Sequence, residues 1–250
     1  MIKKYFIRAG LALASLCSPC CADNAESLQH QADVLREEGK TLEALNLYNQ
    51  ALVDYQKRHD YNGVLGVLTG RLISWQHLYN HGEDKVYAIL ARKEAEAILA
   101  IAQEQGIHDR DYLIHFLLGK SCIFLKDFPC AEVEFKKAID LYPHDNAEKG
   151  DWFAHLGEAV YKNGRKQEGE KLILEGAQQI QAHQQEEDSF KIHVWLSGAY
   201  LRLAKILIQD NQQERAKTYF LQGEEIVSKD PRLVIRQQQL EMLKKRLQSN

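Results

Sequence analysis

The stretch 112–143, YLIHFLLGKSCIFLKDFPCAEVEFKKAIDLYP, contains two apolar patterns separated by a short polar break. In its first half, apolar residues recur at steps of three and four positions, which predicts a helix with one buried face. Asp127 and Pro129 then supply a capping acid and a first-turn proline for a second helix, and Pro143 ends that helix. Because the break is short, we expect the two helices to pack antiparallel as a hairpin.

The same pattern continues along the chain from Ala25 onward, so the sequence predicts an all-α protein. Breaks that contain Gly, Asn or Pro, which end or start helices, fall at 39, 62–63, 81–82 (His81-Gly82), 106, 143 and 163–164. The predicted helices are 25–38, 41–58, 63–80, 84–105, 110–126, 129–142, 147–163, 166–184, 188–209, 212–229 and 231–248. The last has leucines on one side and charged residues on the other, with Asp230 as its cap and Pro231 at its first position, which is typical of a capping helix.

Small and bulky residues alternate at fixed positions in the hairpin 112–143. They are Leu118, Gly119, Cys122, Ala131, Phe135, Ala138 and Pro143. This order resembles the tetratricopeptide repeat (TPR), whose signature runs L-G-x₂-Y…A-x₃-F…P. The physical reason is packing, since small residues let two helices cross closely while Phe135 fills the space between hairpins.

The stretches 25–56, 150–181 and 197–231 match the signature in part, and 63–105 is a longer, divergent hairpin. The resemblance implies an α-solenoid of about five antiparallel helical hairpins with a C-terminal capping helix, forming one domain over 23–250. It also implies a concave surface lined by the first helix of each hairpin, where a protein or peptide binds.

The resemblance also gives the residues expected to line this groove. They are Leu113, Phe116, Lys120, Ile123, Phe124, Glu158, Tyr161, Lys162 and Lys205. This set predicts a mixed groove with an apolar middle and a polar rim. The alternative is that Phe116, Ile123 and Phe124 are core residues between hairpins. Some TPR domains clamp a C-terminal carboxylate with Lys and Asn, but here the matching positions hold Gln29 and Asp33, so that function is not carried over.

Residues 1–22 have the pattern of a signal peptide. Lys3, Lys4 and Arg8 form a basic start, 9–17 is an apolar run too short to span a bilayer, and small residues precede a predicted cleavage after Ala22. A lipid-modified cysteine is the less favoured alternative. We therefore expect a bacterial protein that is exported, either periplasmic or secreted.

Removal of 1–22 leaves 29 Lys and Arg residues against 35 Asp and Glu residues, a net charge of −6. No basic cluster is interleaved with aromatic residues, so nucleic acid is not an expected partner. No second apolar run approaches the length of a membrane span. The chain without 1–22 also lacks the phosphate-binding, nucleophile and zinc motifs of common enzymes, so no cofactor is predicted.

Cys122 and Cys130 are the cysteines that remain after the leader, eight positions apart. Three states are open: buried or loosely paired thiols, a structural disulfide, and a redox pair. His155 and Glu158 lie three apart on one helix face, a spacing that metal ligands use. Because a metal needs further ligands that the sequence does not place there, no metal site is predicted.

These observations favour a non-enzymatic scaffold or adaptor of the bacterial cell envelope, or a secreted one, that binds a protein segment in its groove. The alternative is a regulatory or substrate-presenting module for an envelope enzyme such as a cell-wall hydrolase. A metal- or small-molecule-binding helical protein and an intracellular helical regulator are weaker hypotheses. The sequence does not assign an oligomeric state.

Overall fold

A computed structural model describes the chain from residue 20 to residue 248, with side chains from residue 24 onward. The predicted signal peptide 1–22 therefore lies outside the described residues, apart from the backbone of 20–22. That backbone belongs to the first helix.

The described part of the chain contains eleven helices and no strand. They are α1 (Cys20–Glu37), α2 (Thr41–Lys57), α3 (Tyr61–Gly82), α4 (Lys85–Gln105), α5 (Asp111–Phe124), α6 (Phe128–Leu141), α7 (Ala147–Lys162), α8 (Lys166–Ala182), α9 (Ser189–Gln209), α10 (Gln213–Lys229) and α11 (Val234–Gln248). Each corresponds to a predicted helix, and the prediction of an all-α chain is confirmed. The largest difference at a start is in α1, which begins five residues before the predicted 25.

Several helix ends follow the expected chemistry. The Asp127 side chain accepts a hydrogen bond from the Cys130 amide at 3.3 Å, with Pro129 in the first turn of α6. After α6, Tyr142 is extended and Pro143 follows, so the helix ends where the sequence predicts. Gly106 takes a left-handed φ of 68° at the end of α4, a conformation that glycine adopts without steric cost.

The predicted break at Asn62-Gly63 is wrong, because α3 already begins at Tyr61. The residue in the left-handed conformation is instead His59, with φ 55°. Gly63 serves packing: a Cβ at this position would lie 2.1 Å from Cδ1 of Tyr55, so only glycine lets α3 approach α2.

The predicted start of the last helix is also wrong, because α11 begins at Val234 and not at Pro231. Asp230 binds the turn instead of capping the helix. Its carboxylate accepts from the Arg232 guanidinium at 2.8 Å and from the Arg232 amide at 3.2 Å. His193 Nδ1 of α9 lies 3.0 Å from the same carboxylate, so this buried acid ties the α10–α11 turn to α9.

Helices that follow one another in sequence pack as antiparallel neighbours, which forms five hairpins, α1–α2 to α9–α10, with α11 after them. Each odd-numbered helix also contacts the next odd-numbered helix, whereas within residues 20–248 no even-numbered helix contacts another. The odd-numbered helices therefore form the inner, concave side of the stack, and the predicted α-solenoid with its capping helix is confirmed.

The core runs through the stack as two hydrophobic clusters, one mainly from α1 to α7 and one from α7 to α11. The small residues Ala131 and Ala138 are completely buried, as expected for positions where helices pack closely. A Cβ on Gly119 would lie 2.7 Å from the Phe135 ring, so the two helices of this hairpin do cross at Gly119. None of the described helices is long and apolar enough to cross a membrane.

Candidate protein-binding groove

Charged side chains from four helices meet on the concave side of the C-terminal half of the stack. We call this surface the charged groove. It consists of Lys120 from α5, Asp151, His155, Glu158 and Lys162 from α7, Arg202 and Lys205 from α9, and Arg236 from α11. These side chains are buried or half-buried, although all but one of them are charged types. Charges held in such an environment interact more strongly than charges in open water.

Glu158 is the best-satisfied acid of the charged groove. Lys162 Nζ donates to its Oε1 at 2.8 Å, and Arg202 Nε donates to its Oε2 at 2.9 Å. Burial raises the pKa of this carboxyl, but the two cations outweigh burial and leave the pKa below its ordinary value. Glu158 is therefore ionised at neutral pH and is occupied by its own partners.

His155 is a neutral acceptor in this network. Arg202 Nη2 lies 2.7 Å from His155 Nε2. Burial and the nearby cations Arg202, Lys120 and Arg236 hold the pKa of His155 well below its usual range, so the ring is uncharged at neutral pH. The third guanidinium nitrogen, Arg202 Nη1, is buried and has no hydrogen-bond partner among the described residues.

Two further cations of the charged groove are Lys120 on α5 and Arg236 on α11. Lys120 Nζ lies 5.8 Å from the centroid of the Phe116 ring, and burial lowers the pKa of Lys120 to about 8. Arg236 donates to the Val194 carbonyl oxygen at 3.0 Å and 3.2 Å, and its guanidinium lies so close to Gly198 that a Cβ there would meet it at 2.6 Å. Burial and Arg202 lower the pKa of Arg236 to about 10.

Asp151 lies among these cations without a strong partner. Its Oδ2 lies 3.7 Å from His155 Nε2, which is too far for a hydrogen bond. Burial raises the pKa of Asp151, while the charges of Arg202, Arg236 and Lys120 act in the opposite direction. The carboxylate is thus held by the field of cations on three other helices, since within the described chain no side chain donates a hydrogen bond to it.

The structure brings together four of the residues predicted for the groove: Lys120, Glu158, Lys162 and Lys205. The aromatic members are packed into the stack, although the Phe116 ring also lies against Lys120 and His155 of the charged groove. Phe116 is buried, with its ring centroid 4.9 Å from that of Trp152, which is the core alternative that the sequence left open.

The remaining predicted groove residues support the stack. The Tyr161 hydroxyl donates to Asp210 at 2.7 Å from a buried position, and Phe124 stacks on Tyr79 with ring centroids 4.3 Å apart. Leu113 and Ile123 are half-buried against the core. The aromatic side chains of α5 thus join neighbouring hairpins, and the predicted groove composition stays a prediction.

Sequence reasoning missed Arg202 and Arg236 as groove residues. Leu201 of α9 is buried, whereas the next residue, Arg202, lies on the inner surface, where it binds Glu158. Arg236 lies on the capping helix, whose polar residues read as a solvated face. The signal that could have found it is that α11 follows α9 in the same way that α9 follows α7.

The chemistry of the groove does not fit a metal at His155 and Glu158, because the Arg202 guanidinium binds both side chains. The described residues hold one other group with suitable ligand types, formed by Cys122, Asp127 and Cys130. There the two cysteines form a disulfide, with Cα atoms 5.9 Å apart. Of the three states left open for the cysteines, the structure contains the disulfide, which joins α5 to the first turn of α6.

This chain is similar in sequence to one known family over part of its length, and in fold to several solved structures. A family model described as tetratricopeptide repeat matches residues 197–226, which include most of α9 and α10. The chain has the tetratricopeptide-repeat fold. The predicted resemblance to the TPR family is thus confirmed, although the match falls on the last hairpin and not on 112–143. No curated protein sequence matches this chain.

Three solved structures share the TPR architecture. BtubC (BKLC) from P. vanneervenii has a TM-score of 0.60 and 17% identity, over 84% of this chain and 89% of that one. A Podosopora anserina putative kinesin light chain with nearly identical TPR-like repeats has a TM-score of 0.54 and 17% identity, over 82% and 95% of the two chains. A single-substitution variant of that kinesin light chain has a TM-score of 0.55 and 16% identity, over 82% of this chain and 94% of that one. The TPR fold indicates a protein–protein interaction scaffold.

Proposed function

We propose that this chain is a non-enzymatic adaptor that binds a segment of another protein in the charged groove. The observation that carries the proposal is the convergence of charged side chains from α5, α7, α9 and α11 on one inner surface. A solenoid buries the apolar side of each helix between neighbouring helices, so its concave surface is left for a guest.

The charges of the groove are more than the fold needs for its own stability. A half-buried charge costs free energy unless it is paired or hydrogen-bonded. Lys120 lies over the Phe116 ring and forms no hydrogen bond or ion pair with a described side chain, and Asp151 accepts no hydrogen bond from any described side chain. Groups held in this way favour an interaction with a polar guest, because the guest supplies the missing partners.

The adaptor proposal is tested by site-specific photocrosslinking in cells of the source organism. A benzophenone amino acid replaces Lys205, which is half-buried in the charged groove, or Lys171, whose side chain is 76% exposed on the outer helix α8. We expect a defined partner to crosslink from position 205 and not from position 171, and the crosslink to weaken when Lys120→Glu is added. Equal crosslinking from both positions would contradict binding in the groove.

We propose further that the protein acts outside the cytoplasm, in a bacterial periplasm or as a secreted protein. The support is the leader-like pattern of 1–22 together with the Cys122–Cys130 disulfide, a bond that persists in oxidising compartments. N-terminal sequencing of the protein from its native source tests this, and we expect Asp23 as the first residue. A native protein that still begins at Met1 contradicts it.

A further inference from the structure

The charged groove contains an internal acid, Asp151, which faces cations from three different helices. Lys120 of α5, Arg202 of α9 and Arg236 of α11 all interact electrostatically with its carboxylate. Yet no described side chain donates a hydrogen bond to that carboxylate, and the neutral His155 lies 3.7 Å from it. Asp151 therefore balances part of the local positive charge without satisfying the donors that carry it.

The donors and acceptors of this cluster do not match in number. Glu158 is occupied by Lys162 and Arg202, and His155 accepts from Arg202. What remain are the ammonium groups of Lys120 and Lys205, the unpartnered Nη1 of Arg202 and the positive charge of Arg236, with Asp151 as the opposing acid. The Arg236 nitrogens donate to the Val194 carbonyl and to Gln239, so Arg236 contributes charge more than free donors. An ammonium group and a guanidinium group contain only donors, so the missing element is an acceptor that carries negative charge.

We propose that the guest of the charged groove is an acidic peptide segment, whose carboxylates bind Lys120, Arg202 and Arg236 and displace Asp151 as their counter-ion. This inference rests on the adaptor function proposed above and names the chemistry of the guest. In this proposed site, Asp151 is a specificity-determining residue, because its negative charge weakens the binding of carboxylates.

The neighbouring acids favour carboxylates over more highly charged anions. Asp151 and the ionised Glu158 both lie in the groove, and they repel a phosphate dianion more strongly than a single carboxylate. Nucleic acid is disfavoured for the same reason, since the chain without 1–22 has a net charge of −6. An acidic peptide brings separate single charges, which fit cations that are distributed over three helices.

The test uses the full described chain with a fluorescein-labelled hexaglutamate peptide, and fluorescence anisotropy gives Kd at pH 7 and low salt. We expect hexaglutamate to bind, and hexaglutamine and hexalysine not to bind. Asp151→Asn removes the competing charge with little change in shape, so we expect it to tighten hexaglutamate binding by about five- to tenfold. Lys120→Gln removes a cation of the site, and we expect it to weaken binding by about the same factor.

Asp140→Asn is the matched control, because Asp140 is exposed at the end of the outer helix α6 and the substitution changes the net charge equally. We expect this variant to bind hexaglutamate within about twofold of the wild type. Far-ultraviolet circular dichroism and thermal unfolding establish that each variant is folded. Asp151→Asn is the decisive variant, since the loss of a buried, weakly paired charge is not expected to unfold the protein.

Several outcomes overturn the inference. They are no binding by either the wild type or Asp151→Asn, equal effects of Asp151→Asn and Asp140→Asn, or tighter binding of a phosphoserine peptide than of hexaglutamate. The adaptor function is judged separately: if a partner crosslinks from position 205 and hexaglutamate does not compete with it, the adaptor function stands and the acidic guest is wrong. If nothing crosslinks while hexaglutamate still binds in an Asp151-dependent way, the adaptor function is wrong and the carboxylate site stands.

Discussion

The hairpins α5–α6 and α7–α8 occupy adjacent places in the stack but are joined by different means. In α5–α6, Gly119 faces the ring of Phe135, and a disulfide connects the two helices. In α7–α8, glycines face glycines: a Cβ on Gly169 would lie 2.4 Å from the Tyr161 backbone nitrogen and 2.5 Å from the Gly157 carbonyl oxygen. In α5–α6 the Phe135 ring therefore sets the distance between the two helices, and we call this hairpin ring-spaced. In α7–α8 direct contact between backbone atoms sets that distance, and we call this hairpin backbone-spaced.

This difference has a consequence for the charged groove. An aromatic ring can tilt to admit a small change, whereas two helix backbones in contact cannot move apart without loss of their packing. Helix α7 contributes Asp151, His155 and Glu158 to the groove. The centre of the proposed binding surface therefore lies on a helix whose backbone is in direct contact with its partner, which keeps the charged groups preorganised.

The largest expected effect is that of an added methyl group at the glycine contact of α7–α8. We expect Gly169→Ala to lower the free energy of unfolding by about 3 kcal/mol or more, because its Cβ would overlap backbone atoms. Gly119→Ala should cost only about 1–2 kcal/mol, since the Phe135 ring can shift and alanine favours the helix. Urea denaturation followed by circular dichroism measures both.

Gly66→Ala is the control for this pair, because Gly66 lies within α3 and its nearest neighbour is the flexible end of Gln29, at 3.1 Å. We expect it to be neutral or to stabilise by up to about 1 kcal/mol, the helix preference of alanine over glycine. If Gly119→Ala costs as much as Gly169→Ala, the distinction between ring-spaced and backbone-spaced hairpins is wrong.

The second effect concerns the disulfide, which only the first of the two hairpins contains. We expect Cys130→Ser to lower the free energy of unfolding by about 2 kcal/mol, because the crosslink restricts the unfolded chain across a short loop. Reductant should destabilise the wild type by a similar amount and leave Cys130→Ser unchanged. Urea denaturation with and without reductant provides the measurement, and a wild type that is insensitive to reductant contradicts the prediction.

The sequence predicted most of the fold because helix starts, ends and apolar spacing are local properties. The eleven helices follow from that spacing, and the cap at Asp127 and the break at Gly106 follow from known end preferences. The sequence did not predict the roles of residues that depend on tertiary contacts. Gly63 looks like a break in the sequence, but its neighbour Tyr55 makes it a packing residue within α3.

The groove was less predictable than the fold for the same reason. Whether Phe116 lines a surface or fills the core depends on the rotation of α5 against α7, which places its ring on Trp152. A difference of one position separates the buried Leu201 from Arg202, which binds Glu158. The spacing of residues within one helix predicts neither the burial of Phe116 nor the inward position of Arg202, because both depend on how adjacent hairpins are stacked.

The smallest expected effect concerns Glu132, which links the two hairpins to each other. Its carboxylate accepts from Arg165 at 2.6 Å and from Asn163 at 3.0 Å, both in the α7–α8 connection, and from Lys136 at 2.6 Å on its own helix. Burial raises the pKa of Glu132, but these donors outweigh burial and lower the pKa from 4.5 to about 2. We expect Glu132→Gln to reduce the free energy of unfolding by about 1 kcal/mol at pH 7.

The sign of the pH dependence follows from that lowered pKa. Stability from the ionised carboxylate is fully present above pH 4.5, the ordinary value, and is lost as the pH falls towards 2, so the difference between wild type and Glu132→Gln should shrink over that interval. Glu225→Gln is the control, since Glu225 and its partner Lys229 are 68% and 64% exposed and water screens such a pair, so we expect no measurable loss of stability at any pH. A Glu132→Gln loss that stays constant from pH 7 to pH 2 would mean that the charge of Glu132 does not join the ring-spaced hairpin to the backbone-spaced one.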